Sequence, residues 1–244
     1  MPPPVQTDVQ TDRQPDAQPV PPSDTQRNIS IDAVEIANPV VVSGRARTFE
    51  NSVSLRIRDA AGRVIAEKAT VAVGEMGRHN PYRDALWIAR DPGREITVEA
   101  LEYSARDGSE QSLVSVTKPF GVERIDAALF FANDDCTAVA QYTRRMPKSI
   151  SAARLLVDAL IARPTPQEHT AGARGAFPRG SAVASVNLRD GVLTVDFNEV
   201  LQNVGGSCRT QMIRDSVTRT LLRLPNVRRV VIAAGGSEEL ALQP

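Results

Sequence analysis

Hydrophobic and polar positions divide this chain into stretches of different period. Across residues 29–121 the apolar residues fall in short runs: ISIDAVEI, VVVSGRARTF, SVSLRIR, RVIAEKATVAV, ALWIA, EITVEALEYS and SLVSVT. The runs recur at a spacing of about 8–12 residues, which is the rhythm of a small antiparallel β-sandwich. Val53, Leu55 and Ile57 alternate with polar residues, as do Ile96 and Val98, so each run has one face for a core. Asn38-Pro39, residues 59–62, Asp91-Pro92-Gly93 and Asp107-Gly108 supply the turns. Trp87, the single tryptophan, is expected to anchor the core rather than to form a ligand platform.

The pattern changes after residue 123. ALFFA reads as a strand, ended by Asn133-Asp134-Asp135. Ser149 or Ser151 can cap a helix that sets Leu155, Leu156, Ala159 and Leu160 on one face, and Pro164 stops it. Residues 165–180, rich in Gly and Pro, read as a loop. Asp190-Gly191 then joins two alternating runs and carries the signature of a two-residue hairpin turn, whose central residues both need positive φ. That turn fixes a register with Leu188 opposite Leu193, Val186 opposite Val195 and Ala184 opposite Phe197. Ile213, Val217, Leu221 and Leu224 form the stripe of a second helix, entered at Gly206-Ser207 and stopped by Pro225. Residues 227–234 close the domain as a strand. The order is β-α-β-β-α-β, with two helices laid on a small sheet.

The predicted organisation is a linker over residues 1–28, an all-β sandwich over 29–121, an α+β domain over 123–236 and a tail over 237–244. The linker carries seven prolines, five glutamines and four aspartates, too polar to offset its own ordering entropy. Extended, it spans on the order of 80 Å. The formal net charge is zero, which argues against a dedicated polyanion binder, so no nucleic-acid partner is expected. All but three of the 29 basic residues are arginine, which reads as genomic bias. No stretch reaches the roughly 18 apolar residues of a membrane span, and MPPPVQTD has neither a charged nor an apolar signal region. Either the protein is cytosolic or this chain begins after a removed targeting segment, and a membrane contact is expected only through an anchor absent from this chain. Asn28-Ile29-Ser30 matches a glycosylation sequon by chance.

Candidate chemistry is sparse. The two cysteines, Cys136 and Cys208, allow one disulfide or two reduced thiols. A bond closing that loop would stabilise by about 4 kcal/mol on the chain-entropy argument. Cys208 at a helix N-terminus could be an activated thiol, but His79 and His169 lie in the other domain and in a loop, and no local signature couples either to it. A zinc site from Cys136, Cys208 and His169 lacks any closely spaced ligand pair. Asp134 and Asp135 read as the end of a strand rather than a cation site. Gly172-Ala-Arg-Gly175 has the spacing of an RNA-binding G-x-x-G loop, but it sits between a helix and a strand and reads as a turn. No catalytic residue, cofactor or metal is expected. Arg209, Arg214, Arg219, Arg223, Arg228 and Arg229 read as solvated edges, while Arg144 and Arg145 form a candidate binding surface for an anionic polymer or acidic partner.

Residues 123–244 resemble the GerMN domain of spore germination and sporulation proteins. The resemblance rests on ALFFAN, Thr143-Arg144, SAARLLVDALIARPTPQE, FPRGSAVASVNLRDGVLTVDFNEVL, GGSCRTQMIRDSVTRTLLRLPNVRRVVI and the closing LQP. Residues 29–121 resemble Gmad2, its immunoglobulin-like companion, through ANPVVVSGRARTFENSVSLRIRDAAGRVI and LEYSARDGS. The resemblance implies an immunoglobulin-like sandwich followed by a module similar to ring-building motifs. It also implies an extracytoplasmic location, a lipoprotein or single-pass anchor in the full-length form, and a Cys136–Cys208 disulfide in an oxidising compartment. It gives Arg144 a structural role, paired with a carboxylate of the core. The expected function is non-enzymatic, with protein–protein contacts in an envelope assembly or self-association. The alternative is binding to peptidoglycan or an anionic cell-wall polymer.

Overall fold

The protein is described by a computed structural model covering residues 28–243; the predicted linker up to residue 27 lies outside the described residues. Strands β1 (Ile29–Glu35), β2 (Val40–Ala46) and β5 (Asn80–Leu86) form an antiparallel sheet in the order β1-β2-β5. Strands β3 (Ser52–Arg58), β4 (Val64–Val71), β6 (Glu95–Tyr103) and β7 (Glu110–Pro119) form a second, in the order β4-β3-β6-β7. The alternation seen in the sequence explains how they close. Val53, Leu55 and Ile57 of β3 and Ile96 and Val98 of β6 meet Val40 and Val42 of β2 in one fully buried cluster. This is an immunoglobulin-like sandwich. Arg56, on the opposite face of β3, is also buried, because Glu99 accepts from its Nε at 2.5 Å and Glu110 from its Nη1 at 2.6 Å.

The ALWIA run behaves differently from expectation. The strand there is Asn80–Leu86, and the chain leaves the sheet at Trp87. Ala89 is buried in the core of the following domain rather than in the sandwich. Trp87 is half-buried, outside the sandwich core, with the Arg154 guanidinium 4.6 Å from its ring centroid. The run is apolar because it crosses a domain junction.

The second domain has two sheets. Strands β8 (Arg124–Ala132) and β9 (Val139–Pro147) pair antiparallel. Strands β10 (Val183–Arg189), β11 (Val192–Phe197) and β12 (Arg229–Ala234) lie in the order β10-β11-β12, the first pair antiparallel and the second parallel. Helices α1 (Ala152–Ile161), α2 (Pro166–Thr170) and α3 (Ser207–Leu221) complete it. Leu155, Leu160, Ile213, Val217 and Leu221 from the helices meet Leu129, Phe131, Val195 and Phe197 from the strands in a continuous core. The α+β fold class holds, with one strand and one short helix added to the predicted order. The added helix is a capping box: Thr165 Oγ1 accepts from the Glu168 N–H, and Glu168 accepts from the Thr165 N–H at 2.7 Å.

The hairpin turn is as its chemistry dictates, with φ of 51° at Asp190 and 77° at Gly191. Leu188 and Val186 face Leu193 and Val195, but Phe197 faces Val183, because an extra residue near Ala184 bulges β10. Helix α3 ends at Leu221, before Pro225, and Leu224 packs on the core from beyond the helix.

The domains are clamped by polar groups. Asn38, 2% exposed, donates from Nδ2 to the carbonyls of Ile88 and Pro147 and accepts from the Ile88 N–H. Its own carbonyl accepts from Ser149 Oγ at 2.8 Å. Arg124 donates to the carbonyls of Phe120, Val122 and Gly93 and lies over the Phe120 ring.

Candidate functional site

The residues singled out by sequence gather around β8 and its neighbours. Cys136 and Cys208 are bonded, with Cα atoms 6.0 Å apart, and no free cysteine remains among the described residues. The bond ties the loop after β8 to the first turn of α3. Beneath it Phe130, Ala132, Val139 and Met212 form a small apolar cluster separate from the main core. Above it lies an open groove of about 510 Å³ whose wall includes Asp134, Arg174, Gly206, Arg209 and both half-cystines. No histidine lines it.

The G-x-x-G loop closes one side of this groove. Gly172 takes a φ of 99°, Ala173 is buried, and the Arg174 N–H donates to the Ala132 carbonyl at 2.8 Å. Arg174 Nη2 reaches Asp134 Oδ2 at 3.0 Å. The loop is therefore a turn that fastens onto the end of β8. Asp135 is held below the usual carboxylate range by hydrogen bonds from the Thr137 hydroxyl and N–H. Among the described residues no group of three or more His, Cys, Asp or Glu is placed to hold a metal.

Arg144 and Arg145 separate cleanly. The sequence puts both on a candidate binding surface, and the structure corrects the first. Arg144 is 4% exposed. Its Nε and Nη2 donate to the two carboxylate oxygens of Glu168 at 2.9 and 2.5 Å. Its remaining donors reach the carbonyls of Ala159 and Arg163, each at 3.1 Å, and its guanidinium lies over the Phe131 ring. Tyr142, Arg144 and Met146 of β9 turn inward, while Arg145 points outward and is exposed beside Asp126. Burial pushes the Glu168 carboxyl up, but the bonds from Arg144 and the Thr165 N–H outweigh it and hold the group below its ordinary range. Arg144 thus bolts β9 to α1 and α2, as the resemblance implied, and presents nothing to a ligand.

The other arginines do not converge. Arg209 borders the disulfide groove, and Arg214 and Arg219 are exposed at other positions on α3. Arg223 bonds Gln141 Oε1 at 3.0 Å, and Arg228 bonds the Asp190 carbonyl at 2.8 Å. A second, polar trough of about 640 Å³ runs along the outer face of β10, β11 and β12, lined by Asn187, Arg189, Thr194, Asp196 and Glu238 among others. Sequence reasoning passed over this face. Its only signal was the polar half of the hairpin alternation, which every solvated sheet face shares.

Comparison with known proteins fits this architecture. Residues 31–109 match the Gmad2 family model, described as the immunoglobulin-like domain of bacterial spore germination. Residues 128–240 match the Germane family model, described as sporulation and spore germination. No curated protein matches the chain. Among solved structures, the first GerMN domain of the sporulation protein GerM from Bacillus subtilis is 24% identical, over 46% of this chain and 84% of that one, with a TM-score of 0.40. The tandem GerMN domains of the same protein are 24% identical over 47% of this chain, which spans 40% of that one, with a TM-score of 0.40. A putative lipoprotein from Clostridium perfringens is 14% identical, over 47% and 76% of the two chains, with a TM-score of 0.30. The chain therefore belongs to the spore germination and sporulation families, joining a Gmad2 immunoglobulin-like domain to a Germane domain.

Proposed function

We propose that this chain is a non-catalytic module of the bacterial cell envelope that works through protein–protein contact. The Cys136–Cys208 bond carries the reading. It consumes both thiols, and structural disulfides persist in oxidising compartments outside the cytoplasm. It also removes the one nucleophile the sequence offered, and no histidine stands in the groove beside it. No helix of the described residues is long and apolar enough to cross a membrane. Attachment through a lipid or single-pass anchor, which the family resemblance implies, is part of the proposal. The wall-polymer alternative is weaker, because burial of Arg144 leaves Arg145 alone at that position.

Two measurements test the reading. Exported protein, denatured unreduced, alkylated and weighed, is expected to take no label until it is reduced. Labels on both cysteines without reduction would overturn the compartment. Crosslinking of the full-length chain in intact cells is expected to capture envelope proteins or further copies of the chain. Recovery of the uncrosslinked chain alone would overturn the contact role. Salt-sensitive retention on purified peptidoglycan, lost in Arg145→Ala, would instead favour wall binding.

A further inference from the structure

The edges of the sheets are not equally guarded. Exposed edge strands invite pairing, and proteins blunt them with bulges, prolines or covering elements. Here β1, β4, β7 and β10 each carry a register shift. Strand β5 has Pro81 at its second position. The outer edge of β8 is covered, since the Phe130 N–H donates to Thr220 Oγ1 of α3 at 3.0 Å and the Ala132 carbonyl accepts from Arg174. Strand β9 is as long as β8, nine residues in unbroken register from Val139 to Pro147, and among the described residues no such cover bonds the backbone of Gln141, Thr143 or Arg145.

The direction of its free groups follows from two bonds. Phe130 is opposite Gln141, and the Phe130 N–H points away from β9. The pair is therefore a non-hydrogen-bonded one, and the backbone N–H and C=O of Gln141 point away from β8. The bond from the Asn133 N–H to the Ala138 carbonyl, three residues further along, fixes the same phase. By the two-residue alternation Thr143 and Arg145 also point outward. All three residues are exposed, and no other described residue bonds their backbone groups.

We propose that this edge pairs antiparallel with the same edge of a second copy of the chain, about a two-fold axis at Thr143. The two β8-β9 ribbons become one four-stranded sheet, an isologous contact in which each residue meets its counterpart. In this register Thr143 faces Thr143 of the second copy, and Gln141 faces Arg145. All three outward residues are used at once. The neighbours of the three residues select the register. A two-residue slip sets one of the three against Pro147, whose carbonyl already accepts from Asn38, or against the buried Val139, and a four-residue slip toward Arg145 sets Arg145 against Arg145, a destabilising like-charge pair. The inference rests on the contact role proposed above and names its partner.

The test is the oligomeric state of the full chain, by light scattering and sedimentation over a range of concentrations. A reversible dimer is expected. Thr143→Pro removes only an outward N–H, so β8-β9 pairing survives, and dimerisation is expected to weaken by roughly tenfold or more. Thr143→Lys sets two ammonium groups face to face and is expected to weaken it in a salt-dependent way, which serves if the proline variant does not fold. Thr143→Cys is expected to give a disulfide-linked dimer under mild oxidation, with Cys136–Cys208 intact by mass. A chain monomeric at every concentration with no such crosslink overturns the proposal. So does a dimer that Thr143→Pro and Thr143→Lys leave unchanged. Capture of a different envelope protein by a monomeric chain would sink this pairing and leave the contact role standing.

Discussion

Arg144→Met tests how the second domain is held together. The methionine keeps the length of the stem and its contact with Phe131, and removes only the charged fork. Glu168, 7% exposed, would then be a buried carboxylate without its partner. Breaking a buried pair in this way costs about 3–5 kcal/mol. The carbonyls of Ala159 and Arg163 also lose their donor, which adds to the loss wherever water does not replace it. The expected fall in unfolding free energy is therefore about 3–5 kcal/mol, read from urea denaturation of the oxidised protein. Glu168→Gln keeps the acceptor for the Thr165 N–H and should cost less. Its cost should also depend on pH. The folded carboxyl titrates below its unfolded value, so its stabilisation is complete above about pH 4.3 and is lost as pH falls through the folded value. The gap between wild type and Glu168→Gln should be flat from neutrality to about pH 5 and close in stronger acid. A loss below about 1 kcal/mol for Arg144→Met, the range of exposed pairs, would refute the argument that this pair bolts β9 to the helices.

Two further substitutions probe the junction and the hairpin. Asn38→Ala leaves the Ile88 N–H and C=O and the Pro147 C=O without their buried partner, and is expected to cost about 2–4 kcal/mol by calorimetry, with earlier cleavage by protease between the domains. An unchanged melting profile and protease pattern would show that the clamp does not couple them. Gly191→Ala forces a side chain onto a φ of 77° and brings its Cβ to 2.7 Å from Arg228 Nε; a loss of about 1–2 kcal/mol in urea is expected, the backbone penalty plus the displaced Arg228.

The sandwich, the hairpin and both longer helices were legible because each rests on a local rule. Alternation placed Val53, Leu55 and Ile57, turn chemistry placed Asp190-Gly191, and a 3.6-residue stripe placed Ile213, Val217 and Leu221. Strand β9 was not legible. Its inward face reads Tyr142, Arg144, Met146, and a charged residue at a core position breaks the alternation that marks a strand. The short helix α2 carried its own signal in Thr165-Pro-Gln-Glu168, a capping box that the surrounding glycines and prolines obscured. The bulge at Ala184 left no mark, because an extra residue in a strand changes register without changing composition.

The buried polar residues share a feature that bears on the site. Arg144, Asn38 and Arg56 are polar residues buried at places where two elements meet: strand with helices, domain with domain, strand with strand. Each is satisfied only by partners far away in sequence, so no local window contains both halves of the interaction. A buried arginine with fixed partners holds its neighbours in a set geometry, whereas an apolar contact of equal area tolerates sliding. Around β9 this has a consequence for function. Arg144 fixes the inner face of the strand against α1 and α2, so the outer edge at Gln141, Thr143 and Arg145 is presented in a defined register. Loosening the bolt should therefore weaken any contact made through that edge, although Arg144 itself touches no partner. A double comparison decides it: Arg144→Met should lower dimerisation in the wild-type background and have no further effect on a chain already made monomeric by Thr143→Pro.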